Sequence, residues 1–402
     1  MILRPLAVAL RLSLAAAVSL GMARFAYALL VPPMRADLQW SYLLAGAMNT
    51  GNAFGYLLGA LAAPALMRRH GAGRAVMAGS AATSVLMLLT GLVTATPALL
   101  LLRWLTGVSS ALVFIGGGVL AARLASASSG ARSGLLLALY YGGTGAGIVL
   151  SALAVPWAES LAAPLVAVHG GFGWQAAWLA LGAACAVSTA LLRQPVHALE
   201  RGTAAGAAAG AHGRMPWRAF GFALAAYFMF GFGYIGYMTF VVALLREQGL
   251  PAWQVTSFYA LLGLGVLASS GLWSGLLQKH RDGRPIAILN GLLALACAMP
   301  ALGQGAFAVF ASGIAFGAVF LQVPGATTAL VRHNLPAAAW PSGISAFTIV
   351  FAVGQIVGPT LVGYVSDAAG GLARGLLWSA AALAVGSVLA LGQQALAARA
   401  AS

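Results

Sequence analysis

Long apolar stretches recur along almost the whole chain, and they constrain its fold more than any other feature. Each is about 20 residues long, the length that a helix needs to cross the hydrocarbon core of a bilayer. Of the 402 residues, 61% are hydrophobic and 7% are charged, whereas a soluble domain carries roughly 25% charge. We predict spans at roughly 8–31, 42–66, 75–94, 98–122, 135–155, 173–192, 219–245, 253–277, 285–302, 306–330, 343–365 and 375–396. The sequence therefore predicts an all-α membrane protein with twelve transmembrane helices.

Basic residues concentrate on one side of these spans. If the N-terminus is cytoplasmic, the cytoplasmic side carries sixteen Arg and Lys residues, and the outer side carries only Arg35, Arg246 and Arg374. This bias predicts that both termini are cytoplasmic. The net charge of +15 is thus explained by membrane orientation, and no nucleic-acid partner is predicted. A single lysine, with 52 glycines, suggests a GC-rich bacterium and hence its inner membrane.

The chain is predicted to consist of two six-helix halves. Residues 193–218 are rich in charge, Gly and Ala, and predict a flexible cytoplasmic linker between an N-terminal half, 1–192, and a C-terminal half, 219–402. The halves also resemble each other, because Gly21–Tyr27 aligns with Gly231–Tyr237 at an offset of 210 residues. One residue more maps Gly143 and Gly147 onto Gly354 and Gly358. Parallel six-helix repeats around a central cavity are typical of secondary transporters.

Two motifs resemble those of the major facilitator superfamily. The run Arg103–Gly107 resembles the R-x-x-Q-G signature of helix four, with Thr106 in place of the usual Gln. The run Arg68–Arg74 resembles a degraded form of the signature between helices two and three, and it lacks the Asp of that signature. The resemblance implies a major facilitator fold whose cavity is lined by helices one, four and seven.

A narrower motif is similar to the YbfB/YjiJ-type branch of that superfamily. It consists of Gly21-x-x-Arg24-Phe25-x-Tyr27 in helix one, with Asn52-x-x-Gly55-Tyr56 in helix two. The run Gly231–Phe240 in helix seven fits the same branch.

Arg24 and Arg103 are placed inside predicted spans that contain no acidic residue. A charge at bilayer depth costs from ~2.5 to more than 10 kcal/mol, so it persists only where it is useful or well solvated. Counting helix rise puts both about 10 Å below the outer surface, where two guanidinium groups could clamp a carboxylate. Two alternatives stay open: an arginine at this depth can snorkel outward, and the resemblance implies that Arg103 bonds to neighbouring backbone.

Four more residues complete the predicted substrate site. Tyr27 belongs to the branch motif, and Asn52 is a buried amide that either joins helices or contacts the substrate. Tyr234 occupies the repeat position of Arg24 within an aromatic stripe on helix seven, a pattern that is more often core. Gln355 is the polar side chain of a small-residue seam in helix eleven, where close packing is the alternative role.

Energy coupling has few candidates in this sequence. Proton relays in membranes normally use Asp, Glu or His, and all of these residues fall in predicted loops or at span ends. This disfavours a carboxylate-driven drug antiporter and favours an anion exchanger, a uniporter or an anion–proton symporter. The phosphate-loop, zinc-protease and serine-hydrolase motifs are missing, so we predict neither an enzyme nor a cofactor or metal site.

The predicted function is secondary active transport of a small organic anion by a monomer that works through alternating access. One alternative is a broad-specificity efflux protein for hydrophobic compounds, for which the aromatic stripe would matter more than the arginines. The other alternative is a membrane receptor that reuses the fold without transporting.

Overall fold

Helices account for nearly all of the regular structure in the computed structural model, which describes residues 5–127, 131–201, 215–303, 305–368 and 370–396. In the N-terminal half the helices are α1 (Pro5–Leu38), α2 (Tyr42–His70), α3 (Ala72–Thr90), α4 (Thr96–Ser126), α5 (Ala131–His169) and α6 (Gly173–Arg201). In the C-terminal half they are α7 (Gly221–Glu247), α8 (Ala252–Leu272), α9 (Arg284–Leu302), α10 (Ala306–Asn334), α11 (Trp340–Asp367) and α12 (Gly371–Leu391). These described helices confirm the all-α prediction.

Several helices are longer than the apolar runs predicted. The first continues through Pro32 and Pro33 to Leu38, and α5 reaches His169 rather than ending near residue 155. Among the described residues, eleven helices are long and apolar enough to cross a membrane, and α2 is not one of them. It carries Asn49, Thr50 and Asn52, but its length of 29 residues, about 44 Å, suffices to span. Most of the predicted linker, 202–214, lies outside the described residues.

The two halves repeat one helix-packing seam, as the sequence offset predicts. In the N-terminal half, a Cβ at Gly21 of α1 would lie 2.5 Å from the Cα of Gly147 in α5. In the C-terminal half, a Cβ at Gly231 of α7 would lie 2.5 Å from the carbonyl oxygen of Phe351 in α11. Contacts this short leave no room for a side chain, so glycine is required for helices to pack backbone to backbone.

The halves meet mainly along three helix pairs: α2 with α11, α5 with α8, and the second part of α1 with α7. The α2–α11 pair is very close, since a Cβ at Gly46 would lie 2.2 Å from the carbonyl oxygen of Pro359. Nearer the middle of both helices, Thr50 donates a hydrogen bond to the carbonyl of Ile356 at 2.7 Å. These contacts join the halves on the predicted outer side of the central region.

A polar cluster closes the predicted outer face between the halves. We call Arg35, Tyr42, Glu247 and Asp367 the Tyr42 cluster. The Asp367 carboxylate accepts the backbone N–H groups of Tyr42 and Leu43 at 2.7 and 2.8 Å, and so caps the first turn of α2 from the opposite half. The Tyr42 hydroxyl hydrogen-bonds Glu247, and the Arg35 guanidinium lies 3.8 Å from the centroid of the Tyr42 ring.

Candidate functional site

Arg24 lies on an irregular turn in the middle of α1. Residues Ala17–Phe25 form a π-helix, in which Ala26 N–H bonds to the carbonyl of Gly21 five residues earlier. Such wide turns occur frequently at functional sites, because they free backbone geometry and redirect side chains. The Arg24 side chain points between the halves, is 3% exposed, and lies 5.3 Å from the centroid of the Tyr56 ring.

Gln355 joins Arg24 to Tyr234. Arg24 Nη2 donates to Gln355 Oε1 at 2.7 Å, and Gln355 Nε2 donates to the Tyr234 hydroxyl oxygen. Both ends of the Gln355 amide are therefore used: its oxygen accepts from Arg24 of the N-terminal half, and its nitrogen donates to Tyr234 of its own half. The structure thus brings three of the predicted site residues together, including the two that occupy equivalent positions in the sequence repeat.

Arg24 is a buried cation without a carboxylate partner in the described part of the chain. Its Nε is buried and has no hydrogen-bond partner among the described residues. The Gln355 amide is neutral, so it satisfies one N–H but not the charge. A small anion that reaches Arg24 would find one full positive charge and at least one free N–H donor.

Arg103 occupies a different environment from Arg24. Its Nη1 donates to the backbone carbonyl of Ala23 at 2.9 Å, and its guanidinium lies 4.6 Å from the Tyr27 ring centroid and 5.7 Å from that of Trp178. It is 2% exposed, and within the described residues its Nε and Nη2 have no partner. The backbone bond agrees with the structural role that the superfamily resemblance implies, and it fixes α4 to the turn that carries Arg24.

Tyr27 and Asn52 hydrogen-bond to backbone within the N-terminal half. The Tyr27 hydroxyl donates to the Ala45 carbonyl at 2.9 Å, and Asn52 Nδ2 donates to the Arg103 carbonyl at 3.0 Å. Both bonds hold neighbouring helices together, which was the alternative role for Asn52. The Asn52 Oδ1 is buried without a partner in the described structure, and it leaves one acceptor unused beside Arg103.

An aromatic wall lies next to Arg24 and Gln355 on the C-terminal half. We use this name for Tyr227, Phe230 and Tyr234 of α7, Phe320 of α10 and Phe351 of α11. Phe351 stacks on all three α7 rings, with centroid distances of 4.9, 5.5 and 5.7 Å and interplanar angles of 17, 12 and 14°. Phe320 stacks on Tyr234 at 5.9 Å. Sequence reasoning found the α7 stripe but missed Phe351, although its four-residue spacing from Gln355 places both on one helix face.

Within the described structure none of the six acidic residues bonds to this group, and all but Glu159 lie near helix ends or in short loops. The six are Asp37, Glu159, Glu200, Glu247, Asp282 and Asp367. Glu159 was expected in a loop or at a span end, but α5 continues ten residues beyond it. Its Oε1 is buried without a partner among the described residues.

Comparison with known proteins identifies the family. Residues 16–391 match the family described as "uncharacterised MFS-type transporter YbfB". The chain belongs to this branch of the major facilitator superfamily. It is therefore a multi-pass membrane transporter of small molecules and not an enzyme, as the motif resemblance predicts.

Solved major facilitator structures share this fold. A bacterial homologue of the human lysosomal transporter Spinster, in an inward-facing and occupied conformation, is 14% identical with a TM-score of 0.71, and the match covers 98% of this chain and 97% of that one. The nucleoside transporter NupG is also 14% identical, with a TM-score of 0.70 over 96% of this chain and 98% of its own. At these identities the likeness concerns the fold alone.

A putative tartrate transporter from Agrobacterium vitis is a more local relative of this YbfB-type protein. It is 29% identical over 155 residues, which are 37% of this chain and 34% of that transporter. The chain thus matches about a third of the length of this relative.

Replacing Arg103 with lysine is expected to reduce stability more than substrate affinity. The ammonium group lacks the flat guanidinium that lies over the Tyr27 and Trp178 rings, and the bond to the Ala23 carbonyl is weakened or lost. Loss of such a buried bond costs about 1–3 kcal/mol, which thermal unfolding of the purified protein in detergent would detect. A variant with unchanged unfolding but abolished binding would assign Arg103 to the substrate instead.

Proposed function

We propose that this protein is a secondary active transporter that moves a small organic anion across the bacterial inner membrane. Arg24 is the principal anion-binding group, with Gln355 and Tyr234 as polar partners. The observation that carries the proposal is the state of Arg24: a buried guanidinium with no acidic partner in the described structure and a free Nε. The local likeness to a putative tartrate transporter supports the sign of the substrate charge.

Electrostatics favours an anionic ligand over a neutral one at this position. A buried charge without a counter-charge is costly in a protein interior and in a bilayer, and an anion that pairs with it recovers much of that cost. A carboxylate can accept two parallel N–H bonds from one guanidinium, which a neutral amide oxygen cannot do equally well. Binding would then displace Gln355 Oε1 from Arg24 or share the guanidinium with it.

The position of the site supports alternating access. Arg24 belongs to the N-terminal half, and Gln355 and Tyr234 belong to the C-terminal half. An anion held by these residues contacts both halves, so its binding free energy depends on how the halves are arranged. A ligand with different affinities for two arrangements shifts the balance between them. In the arrangement described here, the Tyr42 cluster joins the halves at the predicted outer face.

Energy coupling in this proposal does not use a carboxylate beside the substrate. None of the acidic residues bonds to Arg24 within the described structure, so the anion either exchanges for another anion or travels with its own proton. We further propose that both termini lie in the cytoplasm, which the distribution of basic residues supports. We also propose that the protein functions as a monomer.

Transport assays with reconstituted vesicles test the proposed function. Purified protein in liposomes loaded with a panel of organic acids should accelerate uptake or exchange of at least one acid over protein-free liposomes. A receptor on the same fold would give no flux with any acid. Flux of neutral or cationic compounds alone would also contradict the anion proposal.

The aromatic wall favours a second candidate, efflux of hydrophobic compounds. Stacked rings offer a large apolar surface that planar cations or neutral drugs can use. Resistance profiles of a deletion strain and an overexpressing strain separate the two functions. An anion transporter should leave resistance to cationic dyes unchanged, because Arg24 repels a cation.

Replacing Asp367 with alanine is expected to open the predicted outer face more often. The substitution removes both bonds that cap α2 from the opposite half, and loss of such a cap costs about 0.5–2 kcal/mol. The equilibrium constant for closing the outer face would fall by roughly 2- to 30-fold. The measurement is the rate at which an impermeant thiol reagent, added outside, labels a cysteine introduced at Asn49, with Cys185 and Cys297 changed to alanine.

Asp282→Ala is the matched control for Asp367→Ala. Asp282 is an acidic residue at the opposite end of the bundle, where it pairs with Arg284 at 3.3 Å. Its loss should leave labelling of residue 49 unchanged. Equal labelling in the Asp367 and Asp282 variants would mean that the Asp367 cap does not hold the halves together.

A further inference from the structure

We infer that the substrate is a planar monocarboxylate whose body is aromatic or conjugated. This inference rests on the proposed function, since it takes Arg24 as the carboxylate site. It adds the chemical class of the rest of the substrate, which we deduce from the surface that faces the carboxylate position.

The aromatic wall is a set of nearly parallel rings rather than a random core packing. The Tyr227–Phe230 and Phe230–Tyr234 pairs have interplanar angles of 10 and 14°, and Phe351 is within 17° of each of these three rings. Isolated aromatic pairs adopt edge-to-face arrangements at least as readily as stacked ones. A shared ring orientation on two helices therefore presents flat faces in one direction, which suits a flat ligand.

Phe351 is the most exposed ring of this wall. It is partly exposed, whereas Tyr227, Phe230, Tyr234 and Phe320 are buried. Phe351 and Gln355 lie one turn apart on the same face of α11, about 6 Å along the helix axis. A carboxylate at Arg24 and Gln355 thus places an attached ring beside Phe351. Tyr56 of the N-terminal half is also partly exposed, and the Arg24 guanidinium lies 5.3 Å from its ring centroid.

The polar groups at the site suffice for one carboxylate and little more. Arg24, Gln355 and Tyr234 are the polar side chains that the structure joins there. Arg103, the other buried cation, donates Nη1 to the Ala23 carbonyl beside Tyr27 and Trp178 of the N-terminal half, and its Nε and Nη2 have no partner among the described residues. With its body toward the aromatic wall, a hydroxylated dicarboxylate such as tartrate would place a second carboxylate and its hydroxyls against aromatic rings. Such unpaired polar groups are penalised on burial, so the site disfavours the substrate class named for the local relative.

Matched pairs of acids test this inference on the full-length protein in detergent. The pairs are benzoate with cyclohexanecarboxylate, and cinnamate with 3-cyclohexylpropanoate, and tartrate is a fifth ligand. The two acids of each pair carry one carboxylate each and are similar in size, and they differ in whether the body is flat and conjugated. Isothermal titration should give roughly 3- to 10-fold tighter binding for at least one conjugated acid over its saturated partner, which is the range expected for one good ring stack.

Variants separate stacking from charge. Phe351→Leu should remove the preference for the conjugated acid and leave the saturated acid's affinity within about twofold, since leucine keeps apolar contact but not the ring. Phe307→Leu is the matched control, because Phe307 is 85% exposed at the end of α10 and should change neither affinity. Arg24→Gln should abolish binding of both acids in a pair.

The outcomes distinguish this inference from the proposed function. Equal affinities within both pairs, or tightest binding of tartrate, would overturn the aromatic substrate class while leaving an Arg24-dependent anion site intact. Binding that is unaffected by Arg24→Gln, or no binding of any of the five acids together with no flux of any acid in vesicles, would overturn the proposed function and this inference with it.

Discussion

Arg24→Gln is expected to lower transport of the organic anion by at least about a hundredfold. The substitution removes the positive charge and the two parallel N–H donors that a carboxylate would use. Each charge-assisted hydrogen bond contributes roughly 1.5–3 kcal/mol, and about 1.4 kcal/mol corresponds to a factor of ten. Initial rates of uptake or exchange in vesicles, normalised to the amount of folded protein, are the measurement.

Two further variants show whether Arg24 acts through its charge. Arg24→Lys keeps the charge but loses the planar fork, so it should retain partial activity with weaker binding. Gln355→Glu places a carboxylate where the Arg24 Nη2 now bonds the amide oxygen. This internal carboxylate would compete with the substrate and should impair transport about as severely as Arg24→Gln.

A purely structural role for Arg24 gives the opposite pattern. In that case Gln355→Glu would form a buried ion pair, which would leave transport intact. Full activity of Gln355→Glu in folded protein would therefore contradict the anion site. So would unchanged transport in Arg24→Gln.

Gly46→Val is expected to slow the transport cycle by destabilising closure of the predicted outer face. A Cβ at this position would lie 2.2 Å from the Pro359 carbonyl oxygen on the opposite half, so α2 and α11 cannot approach as they do here. Overpacking of this kind costs about 1–3 kcal/mol, which weakens the closed arrangement by roughly 5- to 150-fold. Transport should fall by a similar factor, while an impermeant thiol reagent should label residue 49 faster from outside.

Gly55→Val on the same helix is the matched control. A Cβ at Gly55 would lie 2.0 Å from the carbonyl oxygen of Trp104, which belongs to the same half. This substitution should lower the thermal stability of the N-terminal half without favouring either arrangement of the halves. If Gly46→Val merely lowered thermal stability, as Gly55→Val is expected to do, with no faster outside labelling of the folded protein, the α2–α11 contact would not be what closes the outer face.

Much of the candidate site follows from the sequence because it depends on local pattern. Arg24 is conspicuous as a charge in an apolar run, and Gln355 as a polar residue in a small-residue seam. The repeat offset pairs Arg24 with Tyr234, and both bond to Gln355 in the structure. The roles of these residues in binding remain predictions.

Other features needed the packed structure. The main partner of Arg103 is the Ala23 backbone carbonyl, a group that every residue possesses and that no sequence pattern marks. Phe351 becomes part of a stacked wall only when α7 and α11 meet, because ring orientation depends on side chains from both helices. The true ends of α1 and α5 lie beyond the predicted spans, since both helices continue through prolines that suggest helix ends in the sequence: Pro32 and Pro33 in α1, and Pro156 and Pro164 in α5.

The sequence by itself determined the membrane class, the all-helical fold and the internal repeat, because these follow from apolar burial in lipid and from backbone hydrogen bonds satisfied within each helix. It also identified Arg24 as a charged residue in a predicted span with no acidic residue to pair with. Only the tertiary structure decided which partner it has and which surface faces it. Residues 24 and 355 lie 331 positions apart, and no local periodicity relates side chains that meet only through the packing of two halves.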